Sequence, residues 1–116
     1  MKSGDWGREI PEISATELKA ILDEGGAVAL VDVREDFERE IADLPEVGQK
    51  RIPLAGLPQR ISELDRERPL VLYCRSGSRS GLATAALHDL GFTNVRNLKG
   101  GLLAWKEEVD PSIRAY

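Results

Sequence analysis

Apolar positions along the 116-residue chain fall into short continuous runs separated by segments of helical spacing. The run Ala27 to Val33 is continuous and valine-rich, as expected of a strand buried on both faces; Pro69 to Tyr73 is a second strongly apolar strand candidate and Asn94 to Leu98 a last one. Ser14-Ala15-Thr16-Glu17 reads as a capping box that opens a helix carrying Leu18, Ile21 and Leu22, with Gly25-Gly26 ending it. Asp36 to Ile41 predicts a short helical stretch, Arg51 to Leu54 a brief strand and Leu57 to Leu64 a short helix. A further helix follows Ser80, with Leu82, Ala83, Ala86, Leu87 and Leu90 as its apolar stripe and Gly91 as its C-cap. The closing helix, Leu102 to Glu108, lies between Gly100-Gly101 and Asp110-Pro111, with Leu102 and Trp105 as core residues.

Strands alternating with helices predict an α/β sandwich around a mainly parallel sheet. The length suits one domain over residues 1–116, residues 1–9 being a loose lead-in. Ligands of such folds sit at the carboxyl ends of the strands. Two polar segments lie there: Asp32-Val33-Arg34-Glu35, and Cys74-Arg75-Ser76-Gly77-Ser78-Arg79-Ser80.

Composition narrows the function. With 41% apolar and 31% charged residues the chain reads as soluble and globular, and its net charge of −4 argues against a nucleic-acid binder. Met1 to Gly7 lacks the apolar run of a signal peptide, and Ala27 to Val31 falls far short of the roughly 20 residues of a membrane span. A single cysteine makes no internal disulfide and points to the reducing cytosol. One cysteine and one histidine make a structural zinc site unexpected, and nothing in the pattern calls for a metal or organic cofactor. His88 is expected to be exposed and idle, and the chain to be a monomer.

The cysteine segment carries the chemistry. Cys74 leaves a buried strand and enters a loop of small, polar and basic residues from which a helix starts. Successive N–H groups in such a loop can form an anion-binding nest, and the helix start adds partial positive charge. Arg75 and Arg79 add whole charges, so each feature favours the reactive thiolate and predicts a lowered Cys74 pKa. The plainer alternative is a small buried hydrophobe. Glycine at 77 and serines at 76, 78 and 80 suit a loop whose backbone approaches its ligand closely.

The segment from Cys74 to Ser80 resembles the active-site loop of the rhodanese family. Asp32-Val33-Arg34-Glu35 is a second similarity, and Asn97-Leu98-Lys99-Gly100-Gly101 with Ala104-Trp105 a third. The resemblance runs from about Ile13 to the end of the chain. It implies a three-layer sandwich with a five-stranded parallel sheet in the order 1-5-4-2-3. The stretch Trp105 to Pro111, with Tyr116 beyond, resembles the rhodanese domain of fused adenylyltransferase–sulfurtransferase proteins. Those proteins pass sulfur to ubiquitin-like carriers for molybdopterin or thiamine synthesis or tRNA thiolation. No nucleotide fingerprint accompanies it here, so the chain reads as an excised domain or a free-standing relative. Ile41 to Gly48 lacks the histidine that the family commonly carries in a Gly-His-Ile-Pro-Gly-Ala-like stretch.

The implied activity is sulfur transfer in two half-reactions, with Cys74 holding a persulfide between a donor and a nucleophilic acceptor. Thiosulfate or a protein persulfide is the expected donor, and cyanide or a ubiquitin-like sulfur carrier the expected acceptor. Arg75 and Arg79 would attract anionic donors. Asp32 and Arg34 would brace the loop or form a surface ion pair. Lys50-Arg51, with Arg75 and Arg79, could receive an acidic carrier protein. A cysteine phosphatase or arsenate reductase is the enzyme alternative, but such enzymes place an arginine six positions after the cysteine, where this chain has Ser80. A catalytically silent rhodanese-like binding module is the alternative of another class.

Overall fold

The computed structural model describes residues 10–116, so the expected lead-in at 1–9 lies outside the described residues. Strands β1 (Glu12–Ile13), β2 (Ala29–Asp32), β3 (Lys50–Arg51), β4 (Leu70–Tyr73) and β5 (Val95–Leu98) form one sheet. All pairings are parallel and the strand order is β1-β5-β4-β2-β3, the order that the resemblance implied. Helices α1 (Ala15–Asp23), α2 (Leu57–Arg60), α3 (Ser78–Asp89) and α4 (Gly101–Glu108) cover its two faces, with 3-10 turns at Asp36–Glu40, Leu54–Gly56 and Ile61–Glu63. No helix among the described residues is long and apolar enough to cross a membrane.

The alternation of side chains along β4 explains the two-sided core. Leu70, Leu72 and Cys74 join one buried cluster with Val31, Ala83, Leu87 and Phe92, while Val71 and Tyr73 join the other with Leu18, Leu102 and Trp105. A central strand with water on neither side needs apolar residues at every position, which is why its run is continuous. The same parity points Cys74 towards the α3 layer.

Local chemistry sets the helix ends. Ser14 Oγ accepts the Glu17 N–H at 3.1 Å and Glu17 Oε1 accepts the Ser14 N–H at 2.9 Å, the reciprocal capping box expected at the start of α1. Leu102 and Trp105 are core residues, 2% and 1% exposed.

One strand was not foreseen, and two expectations need correction. Strand β1 has no apolar run of its own; the N–H groups of Asn97 and Lys99, donated to the Pro11 and Ile13 carbonyls, and the buried Ile13 side chain hold these residues on the sheet edge. On α3, Leu82, Ala86 and Leu90 do not face the core: Leu82 and Leu90 are 49% and 51% exposed. The inward stripe is Ser80, Ala83, Thr84 and Leu87, whose small members let the helix lie close to the sheet. His88 is half-buried and its Nε2 lies 3.0 Å from the Val95 carbonyl oxygen, tying the end of α3 to β5.

Trp105 is the largest fully buried side chain on the α1–α4 face. Trp105→Ala should lower the unfolding free energy by about 3–5 kcal/mol, read from the shift of a urea transition at unchanged slope.

Candidate active site

Cys74 follows β4 directly, and the chain from 75 to 77 turns back to open α3. Two glycines make this turn possible. Gly77 caps α3 with φ +97°, and a Cβ there would come within 3.1 Å of the Gly100 nitrogen. Gly101 begins α4 with φ +57°, and a Cβ there would lie 2.4 Å from the Cys74 carbonyl oxygen and 2.6 Å from that of Arg75. That close approach lets the Leu102 and Leu103 N–H groups, free donors of the first turn of α4, bond the Cys74 and Arg75 carbonyls at 3.0 Å each.

The opposite side of the same loop faces the sulfur. Cys74 Sγ accepts the Gly77 N–H at 3.1 Å and the Ser80 N–H at 3.4 Å, and Ser80 Oγ lies 3.4 Å away. Burial alone would push the thiol pKa up. The hydrogen bonds from the Ser80 hydroxyl and from the Ser80, Gly77 and Ser76 N–H groups outweigh it and hold Cys74 below the ordinary thiol range. A core hydrophobe would not have a set of donors converging on its sulfur.

Ser80 Oγ also donates to Asn97 Oδ1 at 2.5 Å, while Asn97 Nδ2 donates to the Gly77 carbonyl at 3.1 Å. The second bond fixes which end of the Asn97 amide faces Ser80. A hydroxyl has one proton, so it serves Asn97 or the sulfur at any instant. With a thiol present, Cys74 can donate to Ser80 Oγ, which donates to Asn97. With a thiolate present, the Ser80 proton can turn to the sulfur.

The two loop arginines are half-buried, and each is engaged by a protein partner. Arg79 donates to both oxygens of Glu38, at 2.7 and 2.9 Å, and Glu38 is 5% exposed. These bonds, helped by the Glu35 and Tyr116 donors and opposed by burial, lower the Glu38 pKa to about 2. Arg75 donates its Nε–H to the main-chain oxygen of Tyr116, and its guanidinium lies 5.5 Å from that ring's centroid. Ser76 and Ser78 are exposed, with their hydroxyls 3.3 Å apart and neither contacting Sγ.

Asp32 and Arg34 are not a surface pair: they are 3% and 2% exposed. Arg34 donates to Asp32 through Nε and Nη2, at 2.9 and 3.0 Å, and also to the Ala42 carbonyl, Asp43 and the Tyr116 hydroxyl. Neither residue bonds the loop from 74 to 80. They brace segment 36–43, which delivers Glu38 to Arg79. Arg51 is taken up by Asp32, Asp43 and Glu46 at 2.8, 2.7 and 3.0 Å, so it does not share a free basic face with Arg75 and Arg79. The stretch that departs from the family pattern supplies Asp43, which accepts the Tyr73 hydroxyl at 2.7 Å on the sheet face opposite Cys74.

Three participants escaped the sequence reading. Asn97 was visible only as part of a motif, while Glu38 and Tyr116 reach their partners across 41 and 78 residues of chain. No local pattern encodes those pairings.

The Glu38 pair has a defined pH signature. A carboxylate whose pKa falls from 4.5 unfolded to about 2 folded contributes stability that is complete above 4.5 and lost as pH falls through about 2. Glu38→Gln should cost about 2 kcal/mol at pH 7, and the gap from the wild type should close between pH 4.5 and 2 in urea titrations.

A family model for the rhodanese-like domain matches residues 14–108. A protein from Allochromatium vinosum named sulfurtransferase is 38% identical over 104 residues, covering 90% of this chain and 95% of that one. The probable adenylyltransferase/sulfurtransferase MoeZ of Mycobacterium tuberculosis is 36% identical over 106 residues, covering 90% of this chain but 26% of its own length. Among solved structures, a rhodanese-like domain protein from Staphylococcus aureus superposes with a TM-score of 0.76 at 28% identity, covering 92% of this chain and 99% of that one. The chain therefore belongs to the rhodanese-like domain family, and its sulfurtransferase-named relatives support sulfur transfer as its general chemistry.

Proposed function

We propose that Cys74 carries sulfur as a persulfide between a sulfane donor and a nucleophilic acceptor. The observation that carries this reading is the convergence of the Gly77 and Ser80 N–H groups on Sγ at the mouth of β4. In the first half-reaction the Cys74 thiolate attacks the sulfane sulfur of the donor. A new S–S bond forms, the donor's bond breaks, and the leaving group departs with the electron pair, as sulfite when the donor is thiosulfate. In the second, the acceptor attacks the outer sulfur, and the electron pair of the breaking S–S bond returns to Cys74 as thiolate. Neither step needs an external oxidant or reductant.

The outer sulfur of a persulfide is anionic at neutral pH. The loop N–H groups stabilise that charge without reorganising, as preorganised donors do for other developing anions. Cys74 itself has 0% exposed surface, so each half-reaction includes an opening of the structure around it. A ubiquitin-like sulfur carrier is our preferred acceptor and the cytosol our preferred compartment. The similarity to an adenylyltransferase/sulfurtransferase supports the first, and the single cysteine supports the second.

The decisive measurement is the intact mass of the reduced, folded protein before and after exposure to thiosulfate and to a small organic persulfide. Gain of one sulfur, reversed by reductant and absent in Cys74→Ser, is expected. No gain with any donor would sink the reading. Ser80→Ala removes one hydroxyl donor and leaves the backbone donors in place. The midpoint of the pH dependence of Cys74 alkylation should therefore move up. An unchanged midpoint would assign thiolate stabilisation to the backbone alone.

A further inference from the structure

Tyr116 joins the two arginines that flank the loop. Its main-chain oxygen accepts the Arg75 Nε–H, and its ring lies 5.5 Å from the Arg75 guanidinium and 6.0 Å from that of Arg34. Its hydroxyl accepts from Arg34 Nη1 at 2.7 Å and donates to Glu38 Oε1 at 3.0 Å, the carboxylate that grips Arg79. The segment leading to it is tied down: Lys106 Nζ donates to the Pro111 and Ile113 carbonyls, and Ile113 and Tyr116 pack on the α1–α4 core. A donor anion approaching Cys74 thus meets an Arg79 whose two terminal nitrogens already hold Glu38 and an Arg75 whose Nε–H is taken by Tyr116.

We infer that Tyr116 is a specificity-determining residue of this site. It holds Arg75 through its ring and main-chain oxygen and supports the Glu38 grip on Arg79, so each guanidinium is turned to a protein partner and less available to a small anionic donor. Donors without charge near the sulfane sulfur, or persulfides presented by a protein, are favoured over thiosulfate. The inference rests on the sulfur-transfer reading for its biological meaning, and its physical content is a filter against anions at Cys74.

A pair of alkylating reagents isolates that filter from sulfur transfer. Iodoacetate and iodoacetamide both form an S–C bond to the Cys74 thiolate with loss of iodide, and they differ in charge. Tyr116→Ala should raise the iodoacetate-to-iodoacetamide rate ratio by about fivefold, the scale of one guanidinium charge freed to turn towards an anion in partly screened surroundings. Both variants keep the main-chain oxygen, but Tyr116→Ala loses the ring contacts and the hydroxyl bonds, whereas Tyr116→Phe keeps the ring, loses only the hydroxyl bonds and should give a smaller rise. Arg75→Gln in the Tyr116→Ala background should abolish the rise. In the same variants KM for thiosulfate should fall relative to KM for a neutral organic persulfide.

A ratio unchanged in both single variants would overturn the inference. So would equal acceleration with the two reagents, which marks simple opening of the site, and so would a rise that survives Arg75→Gln. Should no variant accept sulfur while the alkylation ratios behave as stated, the filter stands and the sulfur-transfer reading fails.

Discussion

The site depends on one constraint: the first turn of α4 holds the carbonyls of Cys74 and Arg75. A peptide group is planar and trans, so its C=O and N–H point in opposite directions. Turning the Arg75 carbonyl towards Leu103 sends the Ser76 N–H towards the other side, where the sulfur lies. The loop can keep this arrangement only if α4 approaches to within a few ångströms, and a side chain at Gly101 would collide with both carbonyl oxygens. The motif Lys99-Gly100-Gly101 is therefore part of the anion cradle although none of its atoms bonds Sγ.

Behind the loop lies a network of buried and half-buried charge. Asp32 receives Arg34 and Arg51, Asp43 receives Arg34, Arg51 and the Tyr73 hydroxyl, and Glu38 receives Arg79 and Tyr116. Burying charges is costly, and each member survives because its neighbours supply its remaining hydrogen bonds. Burial opposes the Arg34 charge, but Asp32 and the Tyr116 hydroxyl more than offset it, so Arg34 stays protonated. Such a network has few alternative arrangements, which suits a scaffold that must hold Glu38 and Tyr116 in fixed register.

Much of this was legible in the sequence, and the failures share a cause. The central strands β2 and β4 showed as continuous apolar runs, and the α1 capping box is present atom for atom. The loop from Cys74 to Ser80 lies at the carboxyl end of β4, where a parallel sheet places ligands. What did not show was set by contacts distant in sequence. Residues Glu12–Ile13 are a strand because β5 offers them a partner, not because they alternate. On α3, apolar character was a partial guide: Ala83 and Leu87 face inward as expected, but so do Ser80 and Thr84, while Leu82 and Leu90 face outward. Arg51, Arg75 and Arg79 looked like a basic patch because a count of charges does not show which carboxylates and carbonyls meet them.

That last miscount changes how anion recognition at this loop is understood. Positive charge at the start of a helix invites the idea of long-range attraction, yet Arg79 faces a carboxylate and Arg75 a carbonyl and an aromatic ring. The groups turned towards the sulfur are neutral N–H dipoles at 3.1 and 3.4 Å and a hydroxyl that can reverse its proton. Dipoles at hydrogen-bond distance stabilise an anion strongly when it sits at one point and weakly elsewhere, because their field falls faster with distance than that of a whole charge. A site built this way favours a negative sulfur covalently attached at Cys74 over a negative ion arriving from solution. Lowering the thiol pKa and capturing a free anion are separable tasks, and the geometry around Cys74 is arranged for the first.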